Sequence, residues 1–286
     1  MRKTFTAAMA AASLLALSSC RQTSVGANDA GNVTAENAAG ATAAAGGSID
    51  GTWKTDASTI KTERKPDQFL LQGGQFSCPT CVPPLTVAAD GALHPVTGRP
   101  YADHISIKVD DDHHVTRVGQ KNGQTTSTVK YSISPDGNTL TANFTDSSTP
   151  GAKPVTGSVT GTRVGPAPAG AHIMSGSWKL GGVQNMSEEG LTATFREENG
   201  VLHMSTASGQ SYDAKLDGSD TPIKGDIGGT TASVKKISDG VYEETDKRGG
   251  KVVDVMTMTV SADGKMSVKD ENKQMGAVTT YSATKQ

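Results

Sequence analysis

Aromatic side chains are scarce in this 286-residue chain: five Phe, five Tyr and two Trp, 4% of the total. Large aliphatic side chains are few as well. Leu, Ile, Val and Phe together supply 48 of the 286 residues, too little to fill one large core. Charge of one sign is also missing, since 27 Lys+Arg face 29 Asp+Glu for a formal net charge of −2. That balance excludes an electrostatic binder of nucleic acid, which needs a basic face. It also argues against wholesale disorder, which accompanies high net charge. No apolar run approaches the roughly 18 residues of a membrane-spanning helix, and no segment carries a sustained helical stripe.

What is present begins with an address. Arg2 and Lys3 precede a short apolar stretch from Phe5 to Leu17, the layout of an export signal over residues 1–19. The stretch ends in Leu17-Ser18-Ser19-Cys20, which resembles the lipobox of bacterial lipoproteins. The resemblance implies cleavage before Cys20 and acylation of that residue. Acyl chains anchor stably because each buried methylene contributes about 0.8 kcal/mol. Arg21 in the next position implies, by the same analogy, the outer membrane. Residues 20–50 would then be the lipidated cysteine and a flexible tether of Ala, Gly, Asn, Thr and Ser, too poor in large apolar side chains to fold.

The remainder reads as if written twice. Gly51-Thr52-Trp53-Lys54 recurs as Gly176-Ser177-Trp178-Lys179, and Phe69, Gly74 and Phe76 recur as Phe195, Gly200 and Leu202. Ser106-Ile107-Lys108 matches Ser233-Val234-Lys235, and Ser134-Pro135-Asp136-Gly137 matches Ser261-Ala262-Asp263-Gly264. A nearly constant offset along the chain signals an internal repeat. The repeats predict two domains, 51–164 and 176–286, joined over 165–175 by the Pro/Gly-rich Gly165-Pro166-Ala167-Pro168-Ala169-Gly170.

Within each repeat the pattern is that of β-structure. Lys251 to Val260 alternates plainly, and Val253 and Val255 are expected on the inward face with Leu216, Val234 and Ile237. Turn pairs such as Asp136-Gly137, Asn199-Gly200, Asp217-Gly218 and Asp263-Gly264 separate the runs, and such pairs accept the positive φ of tight hairpins. Antiparallel meanders follow, and closure of each into a barrel would remove exposed edges. The expected fold is therefore all-β, with two up-and-down barrels in tandem.

A Gly-x-Trp on the first strand of such a meander resembles the calycin group, the lipocalins and fatty-acid-binding proteins. The whole chain is also similar to two-repeat bacterial lipoproteins without established function. The calycin resemblance implies that each Trp closes the base of a barrel under a basic residue from the last strand. Trp53 is expected to meet Arg163, and Trp178 to meet Lys285, the basic residues near the ends of the two repeats. A cation over an indole stabilises by about 0.5–2 kcal/mol. Such barrels either enclose a small apolar ligand or are filled and serve as a scaffold for an envelope protein partner.

Chemistry-bearing motifs are sparse. Cys78-Pro79-Thr80-Cys81 is a C-x-x-C, open to three readings: a small disulfide, a redox pair, or half of a metal site. Export favours the disulfide. Asp110-Asp111-Asp112-His113-His114 reads as a solvated acidic turn, and Glu243-Glu244 with Asp246-Lys247-Arg248 as a charged strand face ending in a turn. No nucleophile elbow, zinc-protease motif or phosphate-cradling loop occurs. The expectation is a non-enzymatic, membrane-anchored binding lipoprotein with no cofactor and no catalytic or metal residues.

Overall fold

The computed structural model describes residues 46–286; the export signal, Cys20 and most of the tether lie outside the described residues. Two nearly closed antiparallel barrels stand in tandem, an arrangement consistent with the expected calycin-like fold. The chain starts with β1 (Gly51–Thr55) and the short β2 (Lys61–Glu63). Next come β3 (Asp67–Gln72), β4 (Gln75–Cys78), β5 (Leu85–Ala88) and β6 (Asp90–Pro95). Longer strands follow: β7 (His104–Asp111), β8 (His114–Lys121), β9 (Gln124–Ile133), β10 (Thr139–Asp146) and β11 (Val155–Gly165). The second half holds β12 (Gly176–Gln184), β13 (Thr192–Glu198), β14 (Val201–Thr206), β15 (Ser211–Lys215) and β16 (Asp217–Pro222). It ends with β17 (Thr230–Ser238), β18 (Val241–Arg248), β19 (Lys251–Val260), β20 (Lys265–Asn272) and β21 (Ala277–Lys285).

The barrels do not follow the repeats. The first sheet runs β5-β4-β3-β12-β11-β10-β9-β8-β7-β6, and the second β15-β14-β13-β1-β21-β20-β19-β18-β17-β16, with β2 added beside β21. The first strand of each repeat has therefore crossed over. β1 lies between β13 and β21, with Thr52 opposite Thr194 and Trp53 opposite Lys285. β12 lies between β11 and β3, with Trp178 opposite Arg163 on one side and Asp67 on the other. The division expected at 51–164 and 176–286 thus gives way to hydrogen-bonded units of residues 67–184, and of 51–55 with 192–285.

The barrel bases show the same exchange. Trp53 and Trp178 are both fully buried. The Arg163 guanidinium carbon sits 4.2 Å from the centre of the Trp178 ring system, and Lys285 Nζ sits 5.1 Å from that of Trp53. The expected cations and indoles are present, but the pairing Trp53–Arg163 and Trp178–Lys285 is corrected to Trp53–Lys285 and Trp178–Arg163. Each indole donates to the carbonyl four residues earlier: Trp53 Nε1 to Ile49 at 2.7 Å and Trp178 Nε1 to Met174 at 2.9 Å. Ile49 is itself fully buried in the second core, so the tether ends before residue 50. Burial of this one large side chain, and donation from Gly46 and Gly47 to the Val260 carbonyl, fix its last residues to the barrel base.

Gly-x-Trp acquires a reason here. Gly51 and Gly176 have φ of 121° and 122°, a region that favours glycine. A Cβ on Gly176 would stand 2.6 Å from Arg163 Nη1, and one on Gly51 would stand 3.2 Å from the Lys285 side chain. Glycine leaves room for the cation to cross the indole.

Both barrel interiors are well filled. The first holds Phe69, Phe76, Ile107, Tyr131 and Leu140, and the second Phe195, Leu202, Tyr242, Met258 and Met266. Val234 is buried and Leu216 half-buried, as expected, whereas Ile237 is 57% exposed. On β19 beyond Val253 the parity is opposite to that expected. Met256, Met258 and Val260 pack in the barrel core and Val255 does not, whereas Val253 is buried as expected, at the irregularity where the register with β18 shifts. In a strand a shift of one position exchanges the faces entirely, and the face turned inward here carries Asp254 at its upper end.

Candidate functional site between the barrel mouths

Carboxyl groups of the second barrel gather on neighbouring positions of β18, β19 and β20. On β18 the inward positions are Tyr242, Glu244, Asp246 and Arg248, since cross-strand pairing sets Tyr242 beside Met258, Glu244 beside Met256 and Asp246 beside Asp254. Next along, Met256 pairs with Asp270 and Asp254 with Asn272 on β20. Register thus places four carboxyl groups in the upper part of one barrel. The expected charged outer face at Glu244 and Asp246 is corrected: Glu244 is 5% exposed, and its carboxylate accepts from Tyr212 Oη at 2.6 Å.

Burial decides the ionisation of this group. It pushes Glu244 up to about 7, against the Tyr212 hydrogen bond, which works the other way. Asp270 rises to about 7, through burial first and then the charges of Asp254 and Glu244. Asp254 rises to about 6, with Asn272 and Arg248 partly opposing the cost of burial. Asp246 is raised by burial and then by its three carboxyl neighbours. Asp246 Oδ1, Asp254 Oδ1 and Arg248 Nε are buried without a hydrogen-bond partner among the described residues.

The first barrel meets this end through Tyr101 and the cavity-lining Arg99, Arg117 and Asp146. Tyr101, in the loop between β6 and β7, reaches across and donates to Asp226 at 2.8 Å, while Arg248 donates to Tyr101 Oη at 3.1 Å. The Arg248 guanidinium also lies over the Tyr101 ring, 5.3 Å from its centre. Gly228 underlies the ring so closely that a Cβ there would come within 2.7 Å of it. Between the two mouths lies a cavity of about 140 Å³, lined among others by Arg99, Tyr101, Arg117, Asp146, Arg248 and Asp254. It has room for several waters or one small organic molecule.

Its three arginines meet carboxyl charges without direct ion pairs: Arg248 acts on Asp246 and Asp254, and Arg117 on Asp67. Among the described residues the arginine ion pairs within 4 Å join Arg64 to Asp67 and Arg196 to Glu198, and none involves Arg99, Arg117 or Arg248. Arg99 donates to the Pro83 carbonyl, and Arg248 to Tyr101 and Thr230. Among the described residues Arg117 makes no hydrogen bond, and its charge acts on Asp67, which is bound to Arg64. Its side chain lines both the cavity and an apolar space of about 40 Å³ inside the first barrel. Desolvation and the neighbouring Arg117 depress Arg99 to about 10, and burial raises Asp146. The cavity thus holds charges of both signs: Arg99 and Arg117 with Asp146 from the first barrel, and Arg248 with Asp254 from the second.

Cys78 and Cys81 form a disulfide and are fully buried. Its position touches the site, because Cys81 leads directly into Val82, which lines the cavity, and Pro83, which holds Arg99. Asp110 to His114 forms the exposed turn from β7 to β8, with His114 against Asp111 at 2.8 Å and Asp110 accepting from Lys108 at 2.6 Å. Among the described residues no group of three or more His, Cys, Asp or Glu is arranged to hold a metal ion.

Arg99, Arg117, Tyr101 and the four inward carboxyls escape a reading of the sequence alone. Their one signal there is the polar alternation Tyr242-x-Glu244-x-Asp246-x-Arg248. No protein family, curated protein or solved structure matches this chain.

Proposed function

We propose that the protein is a non-catalytic binding module that holds one small polar molecule between its two barrels. Acylated Cys20 and the tether would attach it to the outer membrane, with the base of the second barrel nearest the anchor. The observation that carries this reading is the cavity at the barrel mouths, where three guanidinium groups meet and, among the described residues, none is within ion-pairing distance of a carboxylate, although Asp146 and Asp254 line the same space. These arginines are half-buried; charge held partly out of water is costly unless compensated, and a ligand would add to the compensation. A polar ligand fits better than the apolar one expected from the calycin resemblance. The apolar space inside the first barrel, about 40 Å³, is far below the several hundred Å³ of pockets that enclose drug-sized molecules.

Native mass spectrometry of the full-length protein, extracted in detergent from its own envelope, tests the proposal. A small molecule retained by the parent protein and lost from the Arg117→Gln variant is the expected result. Unliganded protein, or equal retention by the variant, contradicts it.

A further inference from the structure

The guanidinium groups and carboxyl groups that meet in the cavity point to a ligand class. We infer that the molecule bound there is a zwitterion of amino-acid size, its carboxylate turned to Arg99 and Arg117 and its ammonium to Asp254. This inference rests on the cavity being a binding site and goes further by naming what fills it.

The cationic part is Arg99 and Arg117 of the first barrel, which outnumber Asp146 on the same wall. Arg99 is oriented by the Pro83 carbonyl, Arg117 has no hydrogen bond among the described residues, and both line the cavity. Guanidinium groups recognise carboxylates through paired, charge-assisted hydrogen bonds. A neutral sugar or an apolar molecule would add no compensation to that charge. The acidic part comes from the second barrel. Asp254 lines the same cavity, with Asp246 opposite it across β18 and β19 and Asp270 on the next strand. Arg248 is the cation that faces this group, yet no carboxylate lies within ion-pairing distance of it, and Asp246 Oδ1 and Asp254 Oδ1 lack partners. A dicarboxylate or phosphate would set a second negative charge against this wall. An ammonium there instead favours the ionised form of Asp254.

Size narrows the class. About 140 Å³ suits a single amino acid rather than a peptide. Amide side chains from Gln210, Asn272 and Gln274 complete the lining and offer both donors and acceptors to a ligand's polar atoms.

Isothermal titration of the full-length protein in detergent provides the test, after any co-purified molecule has been removed by unfolding and refolding. The probes are the twenty amino acids, propionate, ethylamine and inorganic phosphate. At least one amino acid is expected to bind ten-fold or more tighter than each of the other three. Arg117→Gln should weaken that amino acid ten-fold or more while leaving ethylamine unchanged, and Asp254→Asn should weaken it while leaving propionate unchanged. If propionate or phosphate binds as tightly as every amino acid, the zwitterion assignment is overturned while the cavity reading stands. Absence of binding by the whole panel overturns the assignment as well, and the native mass spectrum then decides separately whether the cavity holds anything.

Discussion

Arg163 lies over Trp178 with its guanidinium carbon 4.2 Å from the indole centre, although the two residues belong to different sequence repeats. The guanidinium also donates to the carbonyls of Gly137, Ile173 and Ser175. One cation therefore joins a hairpin of the first repeat to the start of the second. The equivalent place in the other barrel is taken by Lys285 over Trp53, where Lys285 Nζ reaches the Ser48 carbonyl at 3.3 Å.

Removing either indole should unfold the barrel it plugs, not the repeat in which it is encoded. Trp178→Ala is expected to cost about 3–5 kcal/mol and to expose residues 67–184 to proteolysis first. Trp53→Ala should cost a similar amount and expose residues 192–285. Urea unfolding followed by mass mapping of the fragments measures both. The opposite assignment would restore the unexchanged arrangement.

Strand exchange is also open to cross-linking. Thr52 faces Thr194, their hydroxyls 2.9 Å apart. The pair Thr52→Cys and Thr194→Cys should therefore form a disulfide on oxidation, within the span such bonds require. Without exchange Thr52 would take the place of Ser177 opposite Gln68. The control pair Thr52→Cys and Gln68→Cys should remain unlinked in the monomer.

This exchange could not be read from the chain. Gly51-Thr52-Trp53-Lys54 and Gly176-Ser177-Trp178-Lys179 are so alike that either strand fits either barrel, and the repeat offset is the same in both arrangements. Other features were legible because they are local. Asp136-Gly137, Asn199-Gly200 and Asp263-Gly264 separate strands as expected, whereas Asp217-Gly218 opens β16, and the two tryptophans sit at the bases. The acidic chamber escaped for a particular reason. On β19, Val253 and Val255 compete with Asp254, Met256 and Met258 for the interior, and apolarity alone favours the valines. Long flexible methionine side chains fill the narrow barrel, and the aspartate is tolerated where the barrel opens toward the cavity. The cavity itself joins residues from 82 to 274, a separation no local pattern reveals.

Stability should fall as pH rises from 5 to 8. Glu244 and Asp270 are pushed up to about 7 and Asp254 to about 6, above the ordinary carboxylate range near 4. Below pH 4 these groups are protonated in both folded and unfolded chains. Between pH 4 and 7 the folded state holds more protons, so its relative stability is lost as the pH passes through the raised values. Asp270→Asn should flatten this slope, gaining roughly 1–3 kcal/mol at pH 8 and little at pH 5. Thermal melts at both pH values decide the matter, and a parent protein more stable at pH 8 would refute it. Surface carboxylates held below their ordinary range, such as Asp56 and Asp111 through bonds to Ser58 and to His113, titrate at lower pH and leave this window undisturbed.

The disulfide should matter more to the ligand than to the fold. Cys78 and Cys81 close a very short loop, so replacing both by Ala is expected to cost only about 1–2 kcal/mol. The same change releases Val82 and Pro83, and with them the carbonyl that orients Arg99. Ligand affinity should drop at least five-fold while the melting transition shifts by a few degrees. Unchanged affinity would show that the loop does not position the arginine.

Amide hydrogen exchange read by mass spectrometry, on the full-length protein with and without its retained ligand, tests the binding site most directly. Protection is predicted at both barrel mouths together, over residues 99–105 and 117–127 of the first and 248–254 and 272–274 of the second. Protection confined to one barrel, or to its outer face, would contradict a site shared between them.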